Sequence, residues 1–125
     1  MRQIEVAALV GAALDYWVAR AIDMPRPVIV VERVGAAECL VEVDGTVFEP
    51  FTPSADEDLC NSIIGASPVL LMRVGTPIGP AWCALAPTGA RFVSVSWRIA
   101  ALRALVALRF GAFVVDDVEA DAECS

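Results

Sequence analysis

An α+β fold is what the sequence predicts: a mainly antiparallel sheet of about five to six strands, with N-terminal and C-terminal helices packed on one face. Three observations lead there. Apolar residues recur at helical spacing near each end of the chain. Between them, short β-branched runs alternate with glycine and proline turn signals. The length, 125 residues, suits one domain with a core of its own.

The first helix is expected over Val10 to Ile22, where Val10, Leu14, Trp17, Val18 and Ala21 share one face. Pro25 and Pro27 stop it. Val28 to Val34 and Cys39 to Val43 are expected to form a hairpin through Gly35-Ala36-Ala37-Glu38, with Glu32, Glu42 and Asp44 marking a wet sheet face. Asp44-Gly45 turns the chain into a third strand at Thr46-Val47-Phe48. Pro50, Pro53 and Pro68 then bracket a polar stretch. Within it, Ser54 is the expected cap of a short helical turn over Asp56 to Ile64. Strands resume at Val69 to Val74, Ala81 to Ala86 and Arg91 to Val95, joined by Gly75-Thr76-Pro77 and Pro87-Thr88-Gly89. The closing helix runs from Trp97 to Phe110, with Ser96 as N-cap and Gly111 as its terminating glycine. Ile99, Leu102, Leu105, Val106 and Leu108 wrap much of its circumference, so it is expected to be buried on more than one side.

Hydrophobic residues make up 58% of the chain, and the mean hydropathy is +0.65. Yet the most apolar segment, Ile99 to Phe110, carries Arg103 and Arg109 and follows Arg98, which is too short and too charged a run to span a bilayer. The opening Met1-Arg2-Gln3-Ile4-Glu5 does not read as an export signal. The apolar excess is therefore expected in the core and in an interface with a partner or a second copy. Net charge is −7, and five acids fall in the last ten residues. Residues 1–115 read as the domain and 116–125 as a solvated, flexible acidic tail. With nine basic residues, all arginine, and no basic stripe, direct nucleic-acid binding is not expected.

Histidine is absent, which removes the commonest general base and every Ser-His or Cys-His pairing within the chain. No phosphate-binding glycine loop occurs. The four cysteines, Cys39, Cys60, Cys83 and Cys124, form no paired motif, and no metal, cofactor or catalytic residue is expected. Cys39 and Cys83 read as small buried hydrophobes and Cys124 as an exposed thiol. Asp56, Glu57 and Asp58 could offer oxygens to a hard cation, but adjacent acids equally suit a helix N-terminus. Asp15, Tyr16 and Arg20 are expected on an exposed flank of the first helix, with Tyr16 stacked over Arg20. Arg103, on a mostly apolar helix, needs a carboxylate or carbonyl partner if buried; Asp15 is the expected one, and snorkelling to the core's edge is the alternative.

Three stretches stand out together: Gly11-Ala12-Ala13-Leu14-Asp15-Tyr16-Trp17-Val18-Ala19-Arg20-Ala21, then Phe51-Thr52-Pro53-Ser54-Ala55-Asp56 with Ile63-Ile64, and Ile99 through Gly111. In this order they resemble the NinX-like family of phage and prophage proteins of unknown function. The family loop carries Trp after its Asp and then Gly-Gly-Pro, where this chain has Glu57, Cys60, Asn61 and Ser62. The resemblance implies a phage or prophage origin and action in the bacterial cytoplasm, and it implies no activity.

The function these features favour is a non-enzymatic accessory protein that binds a host or phage protein, with a homodimer as a further use of the apolar excess. One alternative is a small-ligand binder or modest enzyme, sited between the first helix and the 51–56 loop. Asp15, Tyr16, Phe51, Ser54, Asp56 and Arg103 are the candidate binding residues for such a site or for a partner. A further alternative makes the acidic tail a decoy for a nucleic-acid-binding protein.

Overall fold

The structure is a computed structural model and describes residues 2–31 and 37–116, with the side chain of Asp116 outside the description. The chain is α+β. In order it runs β1 (Arg2–Glu5), a 3-10 turn (Val6–Ala8), α1 (Gly11–Ala21), β2 (Val28–Val31), β3 (Ala37–Glu42), β4 (Phe48–Pro50), α2 (Glu57–Gly65), β5 (Leu70–Thr76), β6 (Gly79–Leu85), β7 (Arg91–Ser94), α3 (Trp97–Phe110) and β8 (Phe113–Asp116).

The expected single sheet is not found among the described residues. Among the described residues the strands make three antiparallel sheets, ordered β1-β8, β2-β3-β4 and β5-β6-β7. A physical reason lies in the connection between β4 and β5. Pro50 on the edge strand β4 has no N–H to donate, and Pro53, Pro68 and α2 carry the chain away before β5 begins. The helices are likewise not together on one sheet face. Helix α1 packs chiefly on β2 and β3, α3 packs on β6 and β7, and the two helices meet each other. That double contact accounts for the all-round apolar character of α3, where Ala100, Ala101, Leu102, Ala104, Leu105, Val106 and Ala107 are all buried. At the end of the helix seam, Trp17 meets Phe110 edge-on at 5.3 Å.

The β1-β8 ribbon was not anticipated. Ile4 and Val114 are paired in its register, and Val114 is buried in the core. Asp116, expected to open the tail, instead pairs with Arg2 as the last residue of β8. Of the expected Gly35-Ala36-Ala37-Glu38 turn, Ala37 and Glu38 instead open β3, paired with Val31 and Val30; Gly75 and Thr76, also expected in a turn, close β5, and the strand expected at Thr46-Val47-Phe48 forms at Phe48–Pro50. The rest of the expected tail, Gly35, Ala36, Glu32 and Cys124 lie outside the described residues.

Helix ends follow their local chemistry. Ser96 caps α3 by accepting from the Ile99 N–H, and Gly111 ends it at φ 87°, a left-handed value suited to glycine. The cap of α2 is Asp56, whose carboxylate accepts the Leu59 N–H at 3.1 Å, with Glu57 and Asp58 in the first turn. Ser54, the expected cap, lies too far upstream. Replacing Asp56 with alanine is expected to cost about 1 kcal/mol of stability, measured as a lower urea midpoint at unchanged m-value.

Candidate functional site

Ser54 is drawn to Asp15. Asp15 is only 3% exposed, and so it is not on a solvated flank of α1. Its carboxylate accepts the Ser54 N–H at 2.8 Å and the Ser54 hydroxyl at 3.0 Å. The loop is shaped for this. The Phe51 N–H donates to the Cys39 carbonyl, Phe51 and Pro53 are buried, and the Thr52 carbonyl accepts from the N–H groups of Ala55 and Asp56. The Ser54 carbonyl then accepts from Arg98 Nε at 3.2 Å. One serine thus ties α1 to the start of α3 across the loop.

Burial pushes the Asp15 carboxyl up to about 6, against the two stabilising bonds from Ser54. Nearby are two buried thiols, Cys39 and Cys60. Burial, with the Asp15 charge adding to it, raises Cys39 to about 12. Burial also raises Cys60 to about 11, opposed by Arg98. Thiols held that high stay protonated and unreactive at neutral pH. Cys83 is likewise buried and free.

The other candidate residues scatter. Arg103 does not pair with Asp15; its Nε donates to the Leu9 carbonyl at 2.9 Å, the carbonyl solution to a half-buried guanidinium. Asp56 faces its own helix. Tyr16 is buried beside Trp17, and the Arg20 guanidinium lies over both rings, at 5.9 Å from Tyr16 and 4.7 Å from Trp17. That stack was expected; its burial was not. Of the six candidates, Asp15, Phe51 and Ser54 come together, while Tyr16, Asp56 and Arg103 serve separate contacts. Both carboxylate oxygens of Asp15 are engaged by Ser54, which suits a structural latch.

Two hollows lie elsewhere. One, of about 320 Å³, sits at the C-terminal end of α1 between Arg20, Pro27 and Phe110; there Arg109 bonds Asp23 and the Ala21 carbonyl. The other, of about 390 Å³, lies on the β5-β6-β7 sheet beside Ile78, Ala81, Val93 and Val95. The register explains its surroundings. Leu71, Ala84 and Phe92 align across the sheet and join the core, as the alternation of strand side chains requires. The opposite face carries the rows Leu70-Leu85-Arg91 and Met72-Cys83-Val93, with Val74 paired to Ala81 beyond them.

On that outer face the central strand supplies the small residues Ala81 and Cys83, which are buried but stand outside the core cluster. Larger side chains rise on either side: Leu70 is 62% exposed, Met72 45%, Val93 53% and Val95 78%. The result is an apolar groove with a narrow floor, and Ile78 projects beside it at 94% exposure. The sequence signal was available as apolar residues on both parities, Leu70 and Met72 against Leu71 in β5 and Phe92 against Val93 in β7, but their core-facing side could not be chosen before the register was known.

No protein-family model matches this chain, and no curated protein matches it. Among the described residues no helix is long and apolar enough to cross a membrane, and no three His, Cys, Asp or Glu side chains cluster as a metal site would need.

Proposed function

We propose that the chain is a non-enzymatic protein-interaction module, an accessory protein of phage or prophage origin acting in the bacterial cytoplasm, which docks a partner on the outer face of β5-β6-β7. The observation that carries it is the exposed apolar groove, since contiguous apolar surface on a folded domain marks an interaction site. The resemblance of α1, the 51–56 loop and α3 to the NinX-like family supports the phage origin. The engagement of Asp15 by Ser54 weighs against the alternative of a ligand site beneath the loop.

The test is capture from host cells with photo-crosslinking placed along β5 and β7. A partner crosslinked to this face, and lost on Val93→Asp, is the expected result. Val93 is 53% exposed, so this substitution is expected to leave folding intact by circular dichroism. A partner retained by the Val93→Asp protein would overturn the assignment of the face.

A further inference from the structure

The groove has a charge as well as a shape. Residues 59–115 contain five arginines and not one acid, although the whole chain is at −7. Four of those arginines are engaged. Arg98, Arg103 and Arg109 donate to the carbonyls of Ser54, Leu9 and Ala21, and Arg73 lies over the Trp82 ring at 5.3 Å. Arg91 differs. It is exposed, and it makes no ion pair among the described residues. The register puts it on the outer face, opposite Leu85 and two residues before Val93.

Resting on the reading of this face as the docking surface, we propose that the groove takes an extended acidic segment of a partner protein. A large apolar side chain of that segment fills the hollow beside Ile78, and a carboxylate on the same side of the segment pairs with Arg91. The spacing follows from strand geometry. Val93 and Val95, which line the hollow, stand about 7 and 13 Å along the chain from Arg91 at ~3.3 Å per residue. In an extended partner the side chains two and four residues apart point the same way and span those distances. The hollow, at about 390 Å³, has room for an aromatic or leucine side chain. The acid-free surround favours a carboxylate over a cation at the Arg91 end. The chain's own residues 117–124 alternate acids with small apolar residues, but Val118 is the largest of these, which is a poor anchor for such a hollow.

A random ten-residue peptide display library, panned against the full chain, tests this. The expected winners carry Asp or Glu two or four residues from Leu, Phe or Trp. A synthetic winner is expected to bind about tenfold more weakly to Arg91→Glu, and to weaken further as salt rises, as a contact screened over ~10 Å should. Val93→Asp should abolish binding. Both substitutions sit at exposed positions, and circular dichroism verifies each fold. Winners without acids, no enrichment, or equal binding to Arg91→Glu would overturn the proposal. So would enrichment seen only in a full-length chain carrying Asp117→Asn, Glu119→Gln, Asp121→Asn and Glu123→Gln, since the tail would then be the occupant; concentration-dependent self-association that Val93→Asp removes would assign the groove to a second copy. A cellular partner that Val93→Asp releases but Arg91→Glu does not would leave the docking face standing and remove the acidic segment.

Discussion

Trp17→Ala is expected to lower stability by about 3–5 kcal/mol, the range for emptying an aromatic site in a core. Trp17 is 4% exposed. It touches Phe110 of α3 at 5.3 Å, Tyr16 of its own helix at 5.4 Å and the Arg20 guanidinium at 4.7 Å. Truncation therefore removes transferred surface and leaves a cavity where the two helices meet. With a domain stability typically of 5–15 kcal/mol, such a loss is a large share of the total. Urea denaturation measures it, with Ile78→Ala as the contrast. Ile78 is 94% exposed, so that change should stay within about 0.5 kcal/mol. Similar losses for the two variants would contradict the helix seam as the centre of the fold.

Asp15→Asn is expected to stabilise the protein at neutral pH, the opposite of what removing a bonded carboxylate usually does. Burial raises the folded carboxyl to about 6 from its ordinary 3.8. The folded chain then holds this proton more tightly than the unfolded chain does, so stability falls as pH rises through that interval. Asp15's favourable contribution is fully present below the unfolded value and is lost as pH passes the folded one. Asparagine resembles the protonated acid: its amide oxygen can still accept the Ser54 N–H, and its amide can donate to the Ser54 hydroxyl. The groups that act on Asp15 from its surroundings do not reverse this. Cys39 and Cys60, whose thiols are raised to about 12 and 11, remain neutral throughout. Urea midpoints from pH 4 to 7.5 should show the two proteins equal near pH 4. Asn should lead by about 1–3 kcal/mol at pH 7. A gap that does not vary with pH would show that Asp15 is not the group that titrates.

A carboxylate that costs stability when ionised is held by its connections. Through Ser54 it joins α1 to the loop, and through the Ser54 carbonyl to Arg98 of α3. The same serine was legible as a polar residue beside a helix start, yet its role was not. Ser54 and Asp56 are both cap-forming types, and spacing alone did not decide between them; the turn closed by the Thr52 carbonyl sets Asp56 at the helix start and swings Ser54 toward α1. For Arg103, sequence reasoning identified the need for a partner and allowed a carbonyl. Choosing Asp15 failed because Ser54, 39 residues along the chain, reaches Asp15 first.

By itself the sequence determined the α+β class, the extents of α1 and α3 to within a residue, the Ser96 cap and the Gly111 stop. Each of these rests on contacts within a few residues: helical periodicity, capping bonds and turn residues that need no distant neighbour. Only the tertiary structure decided that the strands divide into three sheets, that β1 finds β8 across the length of the chain, and that α1 and α3 lie on different sheets. It also decided which face of β5-β6-β7 meets the core. Both parities of those strands are apolar, and a shift of one residue would have exchanged Leu71 and Phe92 for Met72 and Val93. The groove exists because α3 covers one side of that sheet and, among the described residues, the other side keeps its apolar side chains exposed.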